Sequence, residues 1–280
     1  RYGLMLSEDG FVMDDGTTAR LGPDHYVMTT TTAAAGQVMA HLEFVRQCLR
    51  PDLDVAVTSV TDQWAQFAVA GPKARELLNG VLNIPIDNES FPYMRCGAVT
   101  VAGVDGRLFR ISFSGEHAYE VAVPARYGDA LVRLLAERAE ALGGGLYGME
   151  ALNVLRIEKG FITHSEIHGR TTADDIGMGR KVSAKKAAVG KMLSRRRGLH
   201  GAERQQLVGF QPLDASARLR AGGHFFAQGA DVTPGNDLGY ATSVCHSPTL
   251  GHDIGLGFVL NGRARLGQRC GEVACRRAVG

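Results

Sequence analysis

Three stretches of this sequence carry side chains able to move protons or to recognise the polar edge of a ligand. In Gly10-Phe11-Val12-Met13-Asp14-Asp15 an apolar run leads into paired acids. Neighbouring strand residues point to opposite faces, so only one of the two carboxylates can look inward. An Asp pair before Gly16 is also ordinary turn chemistry. In Phe113-Ser114-Gly115-Glu116-His117-Ala118-Tyr119-Glu120, Ser114 and Gly115 form a tight turn and Glu120 begins an otherwise apolar strand. A carboxylate there wants a partner. It can accept two parallel hydrogen bonds from a ring amide and its amino group; the alternative is a solvated strand-end acid. The third stretch, Gly148 to Gly160, reads as a helix on which Arg156 and Glu158, two residues apart, do not share a face. A packed Arg with an exposed Glu is the plain alternative.

Other chemistries lack their signatures. The sequence holds no GxGxxG between strand and helix, no GxxxxGK[ST], no HExxH and no GxSxG. His164 and His168 are four apart, but Gly160 and Gly169 flank them and no third ligand is evident, so no metal is expected. A formal charge of +2 from 31 basic and 29 acidic residues does not argue for a nucleic-acid partner. The basic run at Arg195-Arg196-Arg197 has no interleaved aromatics. Five cysteines, Cys48, Cys96, Cys245, Cys270 and Cys275, form no CxxC pair and suit free thiols in a reducing compartment. No apolar run reaches membrane-helix length and no signal peptide opens the chain, so a cytoplasmic protein without a membrane partner is expected. The chain starts at Arg1 on the run Tyr2-Gly3-Leu4-Met5-Leu6, which reads as the inside of a domain whose N-terminal part is missing.

These stretches need elements to position them. Turn signals at Glu8-Asp9-Gly10 and Gly22-Pro23-Asp24 predict strands near 2–6, 11–14, 17–21 and 25–30. Thr32 is placed to cap a helix with Val38, Leu42, Val45 and Leu49 on one face, stopped by Pro51. Strand-like runs follow at Val55 to Val60 and Trp64 to Val69, then a helix after Pro72 through Leu77 and Leu78. A hairpin about Asp105-Gly106 joins 97–104 to 107–113, and Tyr119 to Val123 is a further strand before Pro124. Helices are expected over about 125–142, with Leu131, Leu134, Leu135 and Ala139 inward, and about 148–159. After the basic stretch 183–204 comes a β-rich tail with Leu207 to Phe210, Tyr240 to Val244 and Ile254 to Val259. Strands and helices come in blocks, so the expected class is α+β. The expected domains are 1–190 and 191–280.

Taken together, the Asp14-Asp15 strand, Ala70-Gly71-Pro72, Ser114-Gly115-Glu116 through Tyr119-Glu120, Ala151 to Gly160, and Thr242-Ser243 with Ser247-Pro248-Thr249-Leu250-Gly251 resemble the aminomethyltransferase family, the folate-dependent T-proteins of glycine cleavage and their relatives fused to amine-oxidising flavoproteins. Arg1 to Leu6, Gln63-Trp64-Ala65-Gln66 and Arg156-Ile157-Glu158-Lys159-Gly160 are most similar to the C-terminal folate-binding part of sarcosine oxidase alpha subunits within that family. The resemblance implies a three-lobed cloverleaf around a central folate pocket, with a β-barrel-like C-terminal lobe. It implies tetrahydrofolate as cofactor, Asp15 as catalytic base facing the folate nitrogens, and Glu120 on the pterin edge. Tyr2, Thr17, Phe113 and Arg156 complete the implied folate-binding set. The implied reaction captures a methylene iminium, made by flavin oxidation of sarcosine, as 5,10-methylenetetrahydrofolate. Flavin and NAD would belong to other parts or subunits of a sarcosine oxidase complex, the implied partner.

The sequence also departs from T-proteins. Phe113 replaces a tyrosine, Leu152-Asn153 replaces an Arg-Asp pair whose Arg helps hold the glutamate tail, and Arg180 stands where a tryptophan is frequent. Glycine-cleavage aminomethyl transfer and a folate-binding scaffold without turnover are the alternative readings. A third, iron-sulfur maturation, would need a cysteine that is missing from Lys159-Gly160-Phe161-Ile162-Thr163-His164-Ser165-Glu166.

Overall fold

The computed structural model describes residues 1–201 and 203–268; Cys270 and Cys275 lie outside the described residues. The chain divides into two compact units, one of Arg1–Tyr2 with Gly16–Leu152 and one of Gly3–Asp15 with Asn153–Gly280. In chain order the elements are β1 (Tyr2–Leu6), β2 (Val12–Arg20), β3 (Tyr26–Met28), α1 (Ala35–Phe44), β4 (Trp64–Ala70), α2 (Ala74–Asn79), β5 (Cys96–Val101), β6 (Val104–Phe109), β7 (Ala118–Pro124), α3 (Gly128–Ala141), α4 (Met149–Lys159), β8 (Gln205–Phe210), β9 (His224–Phe226), β10 (Asp237–Ser247) and β11 (His252–Leu260). The class is α+β, as the blocks of strand and helix predict.

The first unit is built on an antiparallel sheet in the order β4-β7-β6-β5. Alternation along β7 sends Tyr119, Val121 and Val123 into a core shared with Leu77 and Leu78 of α2 and with Leu131 and Leu135 of α3. Leu131 and Leu135 are four apart, one helical turn, so both meet the sheet while Arg133 and Asp129 stay in water. The opposite face of the sheet takes the other half of each strand. Glu120 pairs with Ala68 of β4 and Phe109 of β6, and Ala122 pairs with Gln66 and Arg107.

The hairpin turn sits at Ala102-Gly103 and not at Asp105-Gly106. Val101 pairs with Val104, and Ala102 and Gly103 have φ of 47° and 86°, the left-handed pair that a two-residue turn requires. Asp105 and Gly106 lie within β6, opposite Thr100 and Val99. Gly106 is there for space: a Cβ would come 2.6 Å from the Ala122 carbonyl oxygen. A single strand, β2, replaces the two expected at 11–14 and 17–21. No strand forms over 55–60, where the chain is exposed apart from Val57 and Val60. Thr32 does not cap α1; it lies in a 3-10 turn, Thr32–Ala34, and the cap position is Ala34. Of the expected apolar stripe only Val38 is buried, and Leu49 remains 45% exposed.

The second unit carries an antiparallel sheet in the order β8-β11-β10-β9. The three expected tail strands are present as β8, β10 and β11; β9, three residues long, was not foreseen. Its core joins Leu6 and Val12 to Ile162, Ile167, Ile176 and Phe258. Residues 162–176 thus pack with β11 in one core.

Candidate functional site

The first unit presents Glu120 on the sheet face away from α2 and α3. Its carboxylate is half-buried, and loss of water raises its pKa, an effect opposed by a hydrogen bond from Gln66 Nε2 to Oε2. Among the described residues no protein group donates to Oε1. Close to it stands Tyr147, whose phenol is pushed upward by burial and then by the Glu120 charge. On the same face Arg107 stacks on Trp64, with the guanidinium carbon 3.8 Å from the ring centre. Desolvation lowers the Arg107 pKa, yet a guanidinium remains charged at neutral pH. The face therefore offers, among the described residues, a carboxylate with open acceptor capacity. That is the equipment needed to hold a flat ring bearing adjacent N–H donors.

The turn leading into β7 has the expected form. Gly115 adopts φ of 80°, and the buried Ser114 hydroxyl accepts from Glu116 N at 3.3 Å. Phe113 is 41% exposed. His117 lies edge-on to Tyr119, ring centres 5.2 Å apart, and its pKa is lowered by burial and then by the cations of Arg75 and Arg110. Thr17 is tied to β3's end: its Oγ1 lies 2.7 Å from Thr29 Oγ1 and its carbonyl accepts from Thr29 N at 2.8 Å. Gly16 permits this approach, since a Cβ would collide with the Thr29 carbonyl. Tyr2 is half-buried on β1.

In the second unit the two acids separate as strand alternation requires. Asp14 is fully buried and its Oδ1 lies 3.1 Å from His164 Nε2, whereas Asp15 is partly open. Arg156 is 3% exposed and its nitrogens are engaged within the unit. Nε donates to Asn153 Oδ1 at 2.9 Å, Nη1 to Phe161 O at 3.2 Å and Glu166 Oε2 at 3.1 Å, and Nη2 to Ser243 Oγ at 2.7 Å. Burial lowers the Arg156 pKa while Glu166 opposes that shift. Glu166, with no exposed surface, also accepts from Thr163 N at 2.8 Å, Thr163 Oγ1 at 3.1 Å, and Thr242 Oγ1 and Ser243 Oγ at 2.6 Å each. The cluster ties α4 to β10. Glu158, next on the helix, accepts from Ser247 Oγ at 2.5 Å.

Sequence reasoning missed Glu166, Gln66 and the pairing of His164 with Asp14. Glu166 had a legible signal: Thr163-x-x-Glu166 is the capping-box spacing, and the Glu does return to the Thr163 N–H. His168 lies edge-on to Phe258, ring centres 5.6 Å apart. No group of three or more His, Cys, Asp or Glu among the described residues is placed to hold a metal, and no described helix is long and apolar enough to cross a membrane.

The GCVT N-terminal domain family matches residues 1–186, and the glycine cleavage T-protein C-terminal barrel domain matches 205–277. This chain belongs to the glycine cleavage T-protein family. It is 33% identical over 282 residues to an aminomethyltransferase of Cutibacterium acnes, covering 95% of this chain and 71% of that protein. It is 51% identical over 271 residues to the sarcosine oxidase subunit alpha of Rhizobium meliloti, covering 96% of this chain and 28% of that protein. The chain thus spans about 28% of the length of that relative. The glycine cleavage aminomethyltransferase T of Bartonella henselae has the same fold, with a TM-score of 0.77 at 24% identity over 94% of this chain and 68% of that one.

Proposed function

We propose that this chain binds tetrahydrofolate and serves as the one-carbon acceptor module of a sarcosine oxidase, in partnership with a flavin-bearing subunit. The observation that carries the reading is Glu120, a desolvated carboxylate on an open sheet face with no protein donor to Oε1 among the described residues. A pterin presents adjacent ring N–H and amino donors, and Glu120 has the matching acceptors. Family membership and the likeness to a sarcosine oxidase subunit alpha support the choice of ligand and complex. When bound, the folate would supply a ring nitrogen and the adjacent arylamine nitrogen to take the methylene carbon of the sarcosine-derived iminium, giving 5,10-methylenetetrahydrofolate and free glycine.

Asp15 is assigned the proton. As the partly open acid of the pair it accepts an N–H proton lost on carbon–nitrogen bond formation and returns it to the departing amine. Asp14 is the anchored neighbour, fixed by His164. Tyr2, Thr17 and Phe113 are assigned to the ligand's surroundings, and Arg156 to holding α4 in place within its own unit. Supplying tetrahydrofolate and sarcosine to the assembled complex tests the assignment. Asp15→Ala should lower the yield of methylenetetrahydrofolate by about 100-fold or more while sarcosine is still oxidised. An unchanged yield removes Asp15 from the reaction. Release of ammonia from an aminomethyl-lipoyl carrier would instead favour glycine-cleavage chemistry.

A further inference from the structure

We propose that Gln66 is a positioning residue for ligand recognition at Glu120: its side-chain amide occupies Oε2, orients the carboxylate, and leaves Oε1 to N–H donors of the ligand. The inference rests on the folate reading above and concerns a residue on a different strand. Gln66 on β4 does not face Glu120 directly; its cross-strand partner is Ala122, and Glu120 pairs with Ala68. The contact is therefore the diagonal one, which only a long side chain can make. Ala68 is short enough to leave the path open.

The surroundings show why a donor is needed there. Across β6 the partner of Glu120 is Phe109, which is buried and offers no hydrogen bond. Ala122, next along this face of β7, is buried as well. The nearby titratable group is Tyr147, a weak acid whose ionisation Glu120 opposes. Arg107, the cation of the same face, is stacked on Trp64, and no ion pair joins it to Glu120 among the described residues. A desolvated carboxylate with no cation partner tends to take up a proton. Once protonated it carries an O–H donor of its own and can no longer accept from both donors of an amide–amine edge. The Gln66 amide opposes that outcome, and it leaves the second oxygen unclaimed by the protein.

Gln66 is exposed, so its replacement should leave the fold intact. The test is calorimetric titration of the chain with tetrahydrofolate, under anaerobic conditions, at a series of pH values for wild type, Gln66→Leu and Glu120→Gln. Wild type should lose affinity as pH falls through the Glu120 titration. In Gln66→Leu the midpoint should move to higher pH, with about tenfold weaker binding below it for each unit of displacement. Restoring neutral-pH affinity by raising the pH is a response that simple misfolding would not give. A Gln66→Leu midpoint equal to that of wild type overturns the role of Gln66. If wild type does not bind, or Glu120→Gln keeps the wild-type affinity and pH profile, it is the folate reading at Glu120 that fails.

Discussion

Two glutamates removed from bulk water behave in opposite ways, and the contrast separates architecture from recognition. Glu166 has no exposed surface, yet Arg156, Thr163, Thr242 and Ser243 satisfy both of its oxygens. Glu120 has, among the described residues, one protein donor, Gln66, and the cost of desolvation shows as a raised pKa. A buried acid surrounded by donors has no capacity left for a ligand. One that is desolvated and under-supplied keeps that capacity, at some cost to the stability of the folded chain. By that measure Arg156, which the family resemblance places with the ligand, works with Glu166 as structure.

The comparison can be broken most directly at Arg156. Arg156→Leu leaves Glu166 buried without its cation, and the expected loss is about 3–5 kcal/mol in denaturant unfolding. A loss below about 1 kcal/mol would mean that the cluster does not hold the second unit together. Ser243→Ala removes one donor to Glu166 and one acceptor from Arg156, with an expected cost of about 1–3 kcal/mol by the same measurement. Glu120→Gln should not lower stability at neutral pH, because it removes an ill-satisfied charge and no structural contact beyond Gln66.

The pH dependence sharpens the contrast. Glu120 has a folded-state pKa above its unfolded value, so the folded chain binds the proton more tightly. Its contribution to stability is therefore present at low pH and declines as pH rises from the ordinary carboxylate range through the folded value. Thermal melts across that window should show a shallower decline in Glu120→Gln than in wild type. The smallest effect is expected from Asp129→Ala, which breaks an exposed pair with Arg133 and should leave the unfolding midpoint unchanged.

Local patterns made most of the elements legible. β4, β7, α3 and α4 follow from alternation or helical spacing, and the end of β7 at Pro124 follows from the lost N–H. Errors arose where two local signals competed. Asp105-Gly106 is the stronger turn dipeptide by composition, but Gly106 is needed at the crowded crossing with Ala122, and Ala102-Gly103 makes the turn. The run at 55–60 has strand-like residues, yet it stays largely exposed and forms no strand. At the candidate site, residue types found the acids, and alternation separated Asp14 from Asp15. Gln66, and the role of Glu166 beyond its local capping box, were out of reach for a different reason. Their roles depend on partners 54 and up to 77 residues away, distances over which spacing carries no signal.

The wiring of Glu166 also sets a schedule. Thr163 and Arg156 are made within ten residues of it, whereas Thr242 and Ser243 follow 76 and 77 residues later. At a synthesis rate of about 5–20 residues per second, the nascent chain waits roughly 4–15 s between making the acid and making its last donors. During that interval the Arg156–Glu166 pair has Asn153, Phe161 and Thr163 but still lacks Thr242 and Ser243. Completion of β10 is thus the earliest point at which Glu166 can gain its last donors, and ribosomal pausing before residue 243 would prolong the interval without them.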